Sequence, residues 1–264
     1  NTSRPIPADE LHAIGVESVE RRLPAEYAAI GSRALGTGDV AEVYRRIRED
    51  PTLRFRSSEE IVALAEATVA RAAAAMGSIF GRLPQAPCRV EPVPAILAED
   101  APGAYYFPPA PDGSRPGTYY INGRNPTEQS RVEAESIAFH EAIPGHHLQL
   151  AIATELEGLP TFRRLDSGST AYVEGWALYA ERLADEVGLY SDDVARLGML
   201  AGGESFDRAT LDSVLTLLNG ADNGEKRYNY KGEFGAVLGI VSAIFENDAL
   251  ISLVFPEETS PAPR

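Results

Sequence analysis

Apolar positions recur at helical spacing through the first eighty residues. Leu11, Ile14, Val16, Val19 and Leu23 predict a long helix over 8–34, which Leu35-Gly36-Thr37-Gly38 would stop. Two further helices are predicted over 41–49 and 57–80, the second opened by Ser57-Ser58-Glu59-Glu60 and continued by an alanine-rich body. From 81 to 127 the pattern changes to short aromatic runs punctuated by proline and glycine. Ala104-Tyr105-Tyr106-Phe107 and Thr118-Tyr119-Tyr120-Ile121-Asn122 read as two strands, joined by a loop longer than a tight hairpin needs. Helical periodicity returns over 129–157 and 169–187. In the latter, Ser169 is a possible N-cap and Tyr172, Trp176, Tyr179 and Leu183 form one apolar stripe. Glu174 begins a second row with Leu178, Glu181 and Asp185, a row that reads equally as a solvated face. Past 200 the pattern is less clear, and the apolar-rich tract 234–255 is broken by Glu246, Asn247 and Asp248. The expected fold is mainly α with a small antiparallel β region, an α+β arrangement in one domain. It divides into a helical part over 1–80, a β-rich part over 81–127, a helical part over 128–200 and a C-terminal segment over 201–264.

Composition narrows the function classes. With 264 residues, 44% of them hydrophobic and 24% charged, the chain can bury a substantial core. A net charge of -15 argues against nucleic acid as a partner, since such proteins carry a basic footprint. No run of 18 or more apolar residues predicts a membrane span, and Asn1-Thr2-Ser3-Arg4-Pro5-Ile6-Pro7 lacks the pattern of a secretory leader. A soluble protein is expected, with compartment and oligomeric state left open. The single cysteine, Cys88, excludes an internal disulfide and a thiolate zinc site, and its surroundings carry no nucleophile motif.

The densest chemistry lies in His140-Glu141-Ala142-Ile143-Pro144-Gly145-His146-His147, with Glu174 following in Tyr172-Val173-Glu174-Gly175-Trp176. Three of the four histidines fall within eight residues, while His12 stands alone. Imidazole nitrogen and carboxylate oxygen suit zinc, and a catalytic zinc takes three protein ligands while keeping one position open. In the usual zincin pattern, histidines at i and i+4 share a helix face, with a glutamate beside the first acting as general base. Here i+4 is Pro144, whose ring clashes with the carbonyl of His140, so the helix must kink or bulge. On a regular helix His146 would lie about 9 Å along and roughly 120° around from His140, and His147 about 10.5 Å along on nearly the same face. Geometry alone therefore leaves His146 and His147 both open as the second ligand.

His140-Glu141-Ala142-Ile143-Pro144-Gly145-His146-His147-Leu148-Gln149, with Glu174-Gly175-Trp176-Ala177 downstream, resembles the DUF885 family, whose members look like relatives of gluzincin metallopeptidases. The resemblance spans roughly 1–200 and is most specific over 104–181. If Pro-Gly is an insertion into the His-Glu-x-Gly-His run, it makes His146 the second ligand, with His140 and Glu174 as the others and Zn2+ as the cofactor. It further implies a zincin-like catalytic domain, forming the C-terminal part of a longer architecture, that cleaves short peptides with Glu141 as general base. His147 becomes a substrate contact or an outer-shell donor, and Glu181, Glu133 and Glu135 are candidates to orient a histidine. A second strand lying beside the metal as a sheet edge would bind extended substrate through Tyr119 and Tyr120; Arg115 in the preceding loop could meet a substrate carboxylate. Tyr228, with Tyr230 second, is the candidate donor to the oxyanion. The tail departs from the family, since Glu225-Lys226-Arg227-Tyr228-Asn229-Tyr230-Lys231-Gly232 keeps Arg-Tyr but lacks the Pro-Gly-Gln run. This departure admits an inactive module that keeps the metal for peptide binding or structure, and the same machinery would also serve a non-peptide amide or ester.

Overall fold

The structure, a computed structural model, describes residues 7–165 and 170–201. Helices dominate them, around a three-stranded sheet. The predicted first helix is one helical course in three pieces, α1 (Ala8–Glu17), a π-helical turn (Ser18–Arg22) and α2 (Leu23–Ala34). Pro24 explains the irregularity: it can donate no hydrogen bond, and the wider π turn sits immediately before it, where an α-helical ladder would be interrupted. Gly36, at φ +71°, ends the course in the left-handed conformation that a side chain resists. Helix α3 (Val40–Glu49) is capped by Asp39, whose carboxylate accepts from the backbone of Ala41 and Glu42. Helix α4 (Ser58–Met76) is capped by Ser57 and stops four residues before the predicted end, in a turn closed by Phe80 N–H on Met76 O.

The sheet is mixed, not purely antiparallel. Strands β1 (Cys88–Pro92), β2 (Ala104–Phe107) and β3 (Gly117–Ile121) lie in the order β1-β3-β2, with β1 parallel and β2 antiparallel to β3. Proline at both flanks hid β1, since Pro87 and Pro92 bracket only four other residues. Its presence puts β3 in the centre and leaves β2 as the edge nearest α5.

The helix predicted over 129–157 is two, α5 (Ala134–Glu141) and α6 (His146–Glu155), separated at a cis Ile143–Pro144 bond. After a short α7 (Thr161–Leu165) come α8 (Thr170–Glu186) and α9 (Asp193–Ala201). One core joins α4, the sheet, α5, α6 and α8 through Phe55, Met76, Tyr119, Phe139, Leu148 and Trp176. A second, of Tyr27, Ile30, Val43, Ile47, Val132 and Leu197, joins α2, α3 and α9. Among the described residues, no helix is long and apolar enough to cross a membrane.

Candidate metal centre

The break between α5 and α6 builds the site. Gly145 passes so close to the preceding turn that a Cβ there would sit 1.8 Å from His140 O and 2.4 Å from Phe139 O. Its N–H bonds Phe139 O at 2.9 Å, and α6 restarts at His146. The Pro144 carbonyl in the break is taken up by Trp176 of α8, whose buried indole N–H donates to it at 2.9 Å and also reaches Gly145 O, already the acceptor of Gln149 N–H, at 3.2 Å. The rings of His140 and His146, roughly 9 Å apart along a regular helix, here have centroids 4.8 Å apart at 80°.

Helix α8 supplies the carboxylates. Glu174 and Glu181 are seven residues apart, two turns, and both face α5. Glu174 Oε2 lies 3.2 Å from His140 Nε2 and 3.7 Å from His146 Nε2. One ligand atom from each of His140, His146 and Glu174 lies within 4.8 Å of the others. Glu181 grips the far side of the same ring, with Oε1 2.8 Å from His140 Nδ1, and accepts the Ser136 hydroxyl at 2.5 Å. Tyr190 in turn donates to Ser136 Oγ at 3.3 Å. Burial works against charge on His140, but the bonds to Glu174 and Glu181 outweigh it and push the imidazole up to about 10. Burial has its usual effect on His146, holding it down to about 3, and the His140 charge adds to this. His146 is therefore neutral, the form that binds metal. Its Nδ1 is buried with no hydrogen-bond partner among the described residues. For the Glu174 carboxyl, burial acts upward, yet the bond to His140 and the charge of both histidines hold it below its usual range.

Glu141, the last residue of α5, is set beside this cluster against β2. Gly103 O accepts from Asn122 N–H at 2.9 Å, so the antiparallel alternation turns the backbone groups of Ala104 and Tyr106 away from β3. The outward N–H of Tyr106 faces the Glu141 carboxylate and favours its charged form. Burial pushes that carboxyl up to about 7, with the charge of His140 opposing and that of Glu174 adding. Two imidazoles and a carboxylate thus converge beside a second carboxylate poised near neutrality, and the free edge of a strand runs past it.

A family model for bacterial proteins of unknown function, DUF885, matches residues 1–206. This chain belongs to the DUF885 family. None of the curated proteins matches it. Two solved structures of similar fold are each described as a "putative lipoprotein". One, from Colwellia psychrerythraea, is 28% identical with a TM-score of 0.72 over 91% of this chain and 43% of that one. The other, from Shewanella oneidensis and of unknown function, is 17% identical with a TM-score of 0.60 over 91% and 48%. The DUF885 chain described here spans less than half the length of either.

The remaining predicted residues separate clearly. His147 of this DUF885 chain is 1% exposed and points away from the cluster. Its Nδ1 is 2.9 Å from Tyr106 Oη and its Nε2 3.1 Å from Ala86 O, so neither nitrogen is available to a substrate or a metal. Tyr119 is 3% exposed in the core, and Tyr120 stacks on Tyr105 with centroids 5.1 Å apart. Strand addition at Tyr119 and Tyr120 is ruled out because β3 is paired on both sides. Arg115 lies over the Phe107 ring, 4.2 Å from its centroid. Glu135 is buried, ion-paired to Arg71 at 2.8 Å, and Glu133 is exposed. Burial pushes the Cys88 thiol up to about 12, which suits a packing role. Tyr228 and Tyr230 lie outside the described residues. Tyr106, Ser136 and Tyr190 went unrecognised in the sequence. Tyr106 was one of three aromatics in a strand, with nothing local to say which backbone faced outward.

Proposed function

We propose that this chain is a zinc-dependent hydrolase of short peptides, with His140, His146 and Glu174 as metal ligands and Glu141 as general base. The observation that carries the reading is the convergence of those three ligand atoms beside a partly buried carboxylate poised near neutrality. Nitrogen, nitrogen and oxygen donors with one position left open match a catalytic zinc, and His146 offers a neutral buried imidazole whose Nε2 lies 3.7 Å from Glu174 Oε2. When bound, zinc supplies Lewis acidity that makes water nucleophilic near neutral pH and polarises a carbonyl.

The protein's own groups do the rest. Glu181 fixes the tautomer and aim of His140 through Nδ1, as carboxylates behind ligating histidines do. Glu141 takes a proton from the attacking water and later delivers it to the leaving amine, roles that suit a pKa near working pH. The outward backbone of Ala104 and the outward carbonyl of Tyr106 favour an extended peptide as substrate, since main-chain groups on a strand edge, unpaired here among the described residues, bind main chain. This assigns to β2 the part the sequence pattern suggested for β3. The decisive experiment compares the zinc-loaded parent with Glu141→Gln on a library of short peptides, with zinc content measured in parallel. Hydrolysis by the parent and a loss of at least about 1000-fold in the variant, zinc retained, is the expected result. Equal rates in both, or none in the zinc-loaded parent, would overturn it.

A further inference from the structure

His147 stands beside a ligand, is buried to 1%, and takes no part in the cluster. Its two nitrogens instead reach two other parts of the fold. Ala86 O is an acceptor only, so Nε2 must carry the proton, and Nδ1 then accepts from the Tyr106 hydroxyl. The two rings meet edge to face, with centroids 5.6 Å apart.

Tyr106 is therefore anchored beside Glu141. Its hydroxyl is fixed by His147, and its backbone N–H, turned away from β3, faces the Glu141 carboxylate. A third segment has been cleared for the contact: a Cβ at Gly117, the first residue of β3, would sit 2.4 Å from Tyr106 Oη and 2.5 Å from His147 Nδ1. Any side chain there would push this hydrogen bond apart. The hydrogen bond thus crosses from the first turn of α6, one residue from a ligand, to the strand edge beside Glu141.

We infer that His147 is a positioning residue that acts through the Tyr106 hydroxyl to hold the β2 edge, and with it the Tyr106 N–H, in register against Glu141. The inference rests on the proposed hydrolytic reading for its effect on rate, but its geometric core can be read without turnover. Substitutions can separate the two nitrogens. The side-chain oxygen of Asn stands near the position of Nδ1 and can still accept from Tyr106, whereas Gln reaches the position of Nε2 and can serve only Ala86.

The test is made on the zinc-loaded chain with Tyr106→Phe, His147→Gln, His147→Asn and the double variant Tyr106→Phe/His147→Gln. Hydrogen exchange of the Tyr106 amide, measured by NMR, should quicken at least about tenfold in Tyr106→Phe and in His147→Gln. The double variant should be no faster than either single one, and His147→Asn should recover most of the protection. Zinc stoichiometry should stay at the parent value throughout. Where the parent hydrolyses peptide, kcat should fall about 100-fold in Tyr106→Phe and His147→Gln, with His147→Asn rescuing it, because small displacements of a catalytic group carry losses of that order. Unchanged exchange in His147→Gln, or additive effects in the double variant, would overturn the inference. An exchange response in a parent that hydrolyses nothing would count against the hydrolytic reading and leave the positioning contact established.

Discussion

His140 is gripped from both sides, by Glu174 at Nε2 and by Glu181 at Nδ1, and the two carboxylates have different jobs. Glu174 shares its oxygen with His146, while Glu181 is tied back to Ser136 and faces only the ring. Replacing Glu181 with Gln should keep the fold and weaken zinc affinity by about 10- to 100-fold, measured by competition with a chromogenic chelator. An affinity equal to the parent's would show that His140 needs no such partner. His147 gives a prediction in pH. Its folded pKa of about 4 lies below the ordinary value near 6.5, so the unfolded chain takes up a proton more readily as pH falls. The stability it contributes is complete above about 6.5 and is lost progressively down to about 4. Because His147→Asn removes the titration, the melting temperature of the metal-free parent relative to that variant should decline across this window and stay level above it. At this scale the candidate cluster was legible because imidazoles are rare in this chain and were crowded together. For His147 the sequence left an outer-shell donor and a substrate contact both open, because adjacent histidines look alike until the helix break turns one of them toward the sheet.

Between residues and the whole, the α5–α6 break is the element that matters. A regular helix would have separated His140 and His146; the turn at Pro144 and Gly145 folds them together, and Trp176 satisfies the Pro144 carbonyl. Gly145→Ala should therefore cost about 1–3 kcal/mol of stability, as overpacking does, and lower zinc affinity, because its Cβ would collide with His140 O. Denaturant unfolding and the same chelator competition would check both, and a variant equal to the parent in each would refute the packing argument. Proline at an interior helical position announced the interruption in the sequence. Its consequence, two helices with converging histidines, depended on tertiary contacts from α8 that periodicity does not report. Strand β1 was missed for a related reason: its partner β3 is 29 residues further along, at Cys88↔Gly117, and parallel pairing leaves no hairpin signature. Missing it also misplaced the sheet edge.

Across the whole molecule, the candidate ligands come from α5, α6 and α8, three helices of one core, so an ion there would staple them. Zinc at about 100 times its dissociation constant should add about 2.7 kcal/mol and raise the melting temperature by roughly 5–10 °C, by linkage and the size of the chain. Chelation should reverse the shift, and His140→Ala should show none. A mainly helical α+β architecture was readable from the pattern of apolar positions, because long periodic helices dominate it. The long first helix was also readable as one course, although its π turn was not.

We propose that His140, His146 and Glu174 form one metal site. Its most direct test is elemental analysis of the purified chain after equilibration with zinc and removal of the excess, set beside Glu174→Ala and His147→Ala. One zinc per chain in the parent and in His147→Ala, with none in Glu174→Ala, is the result predicted. No zinc in the parent, or zinc retained in Glu174→Ala and lost in His147→Ala, would contradict it.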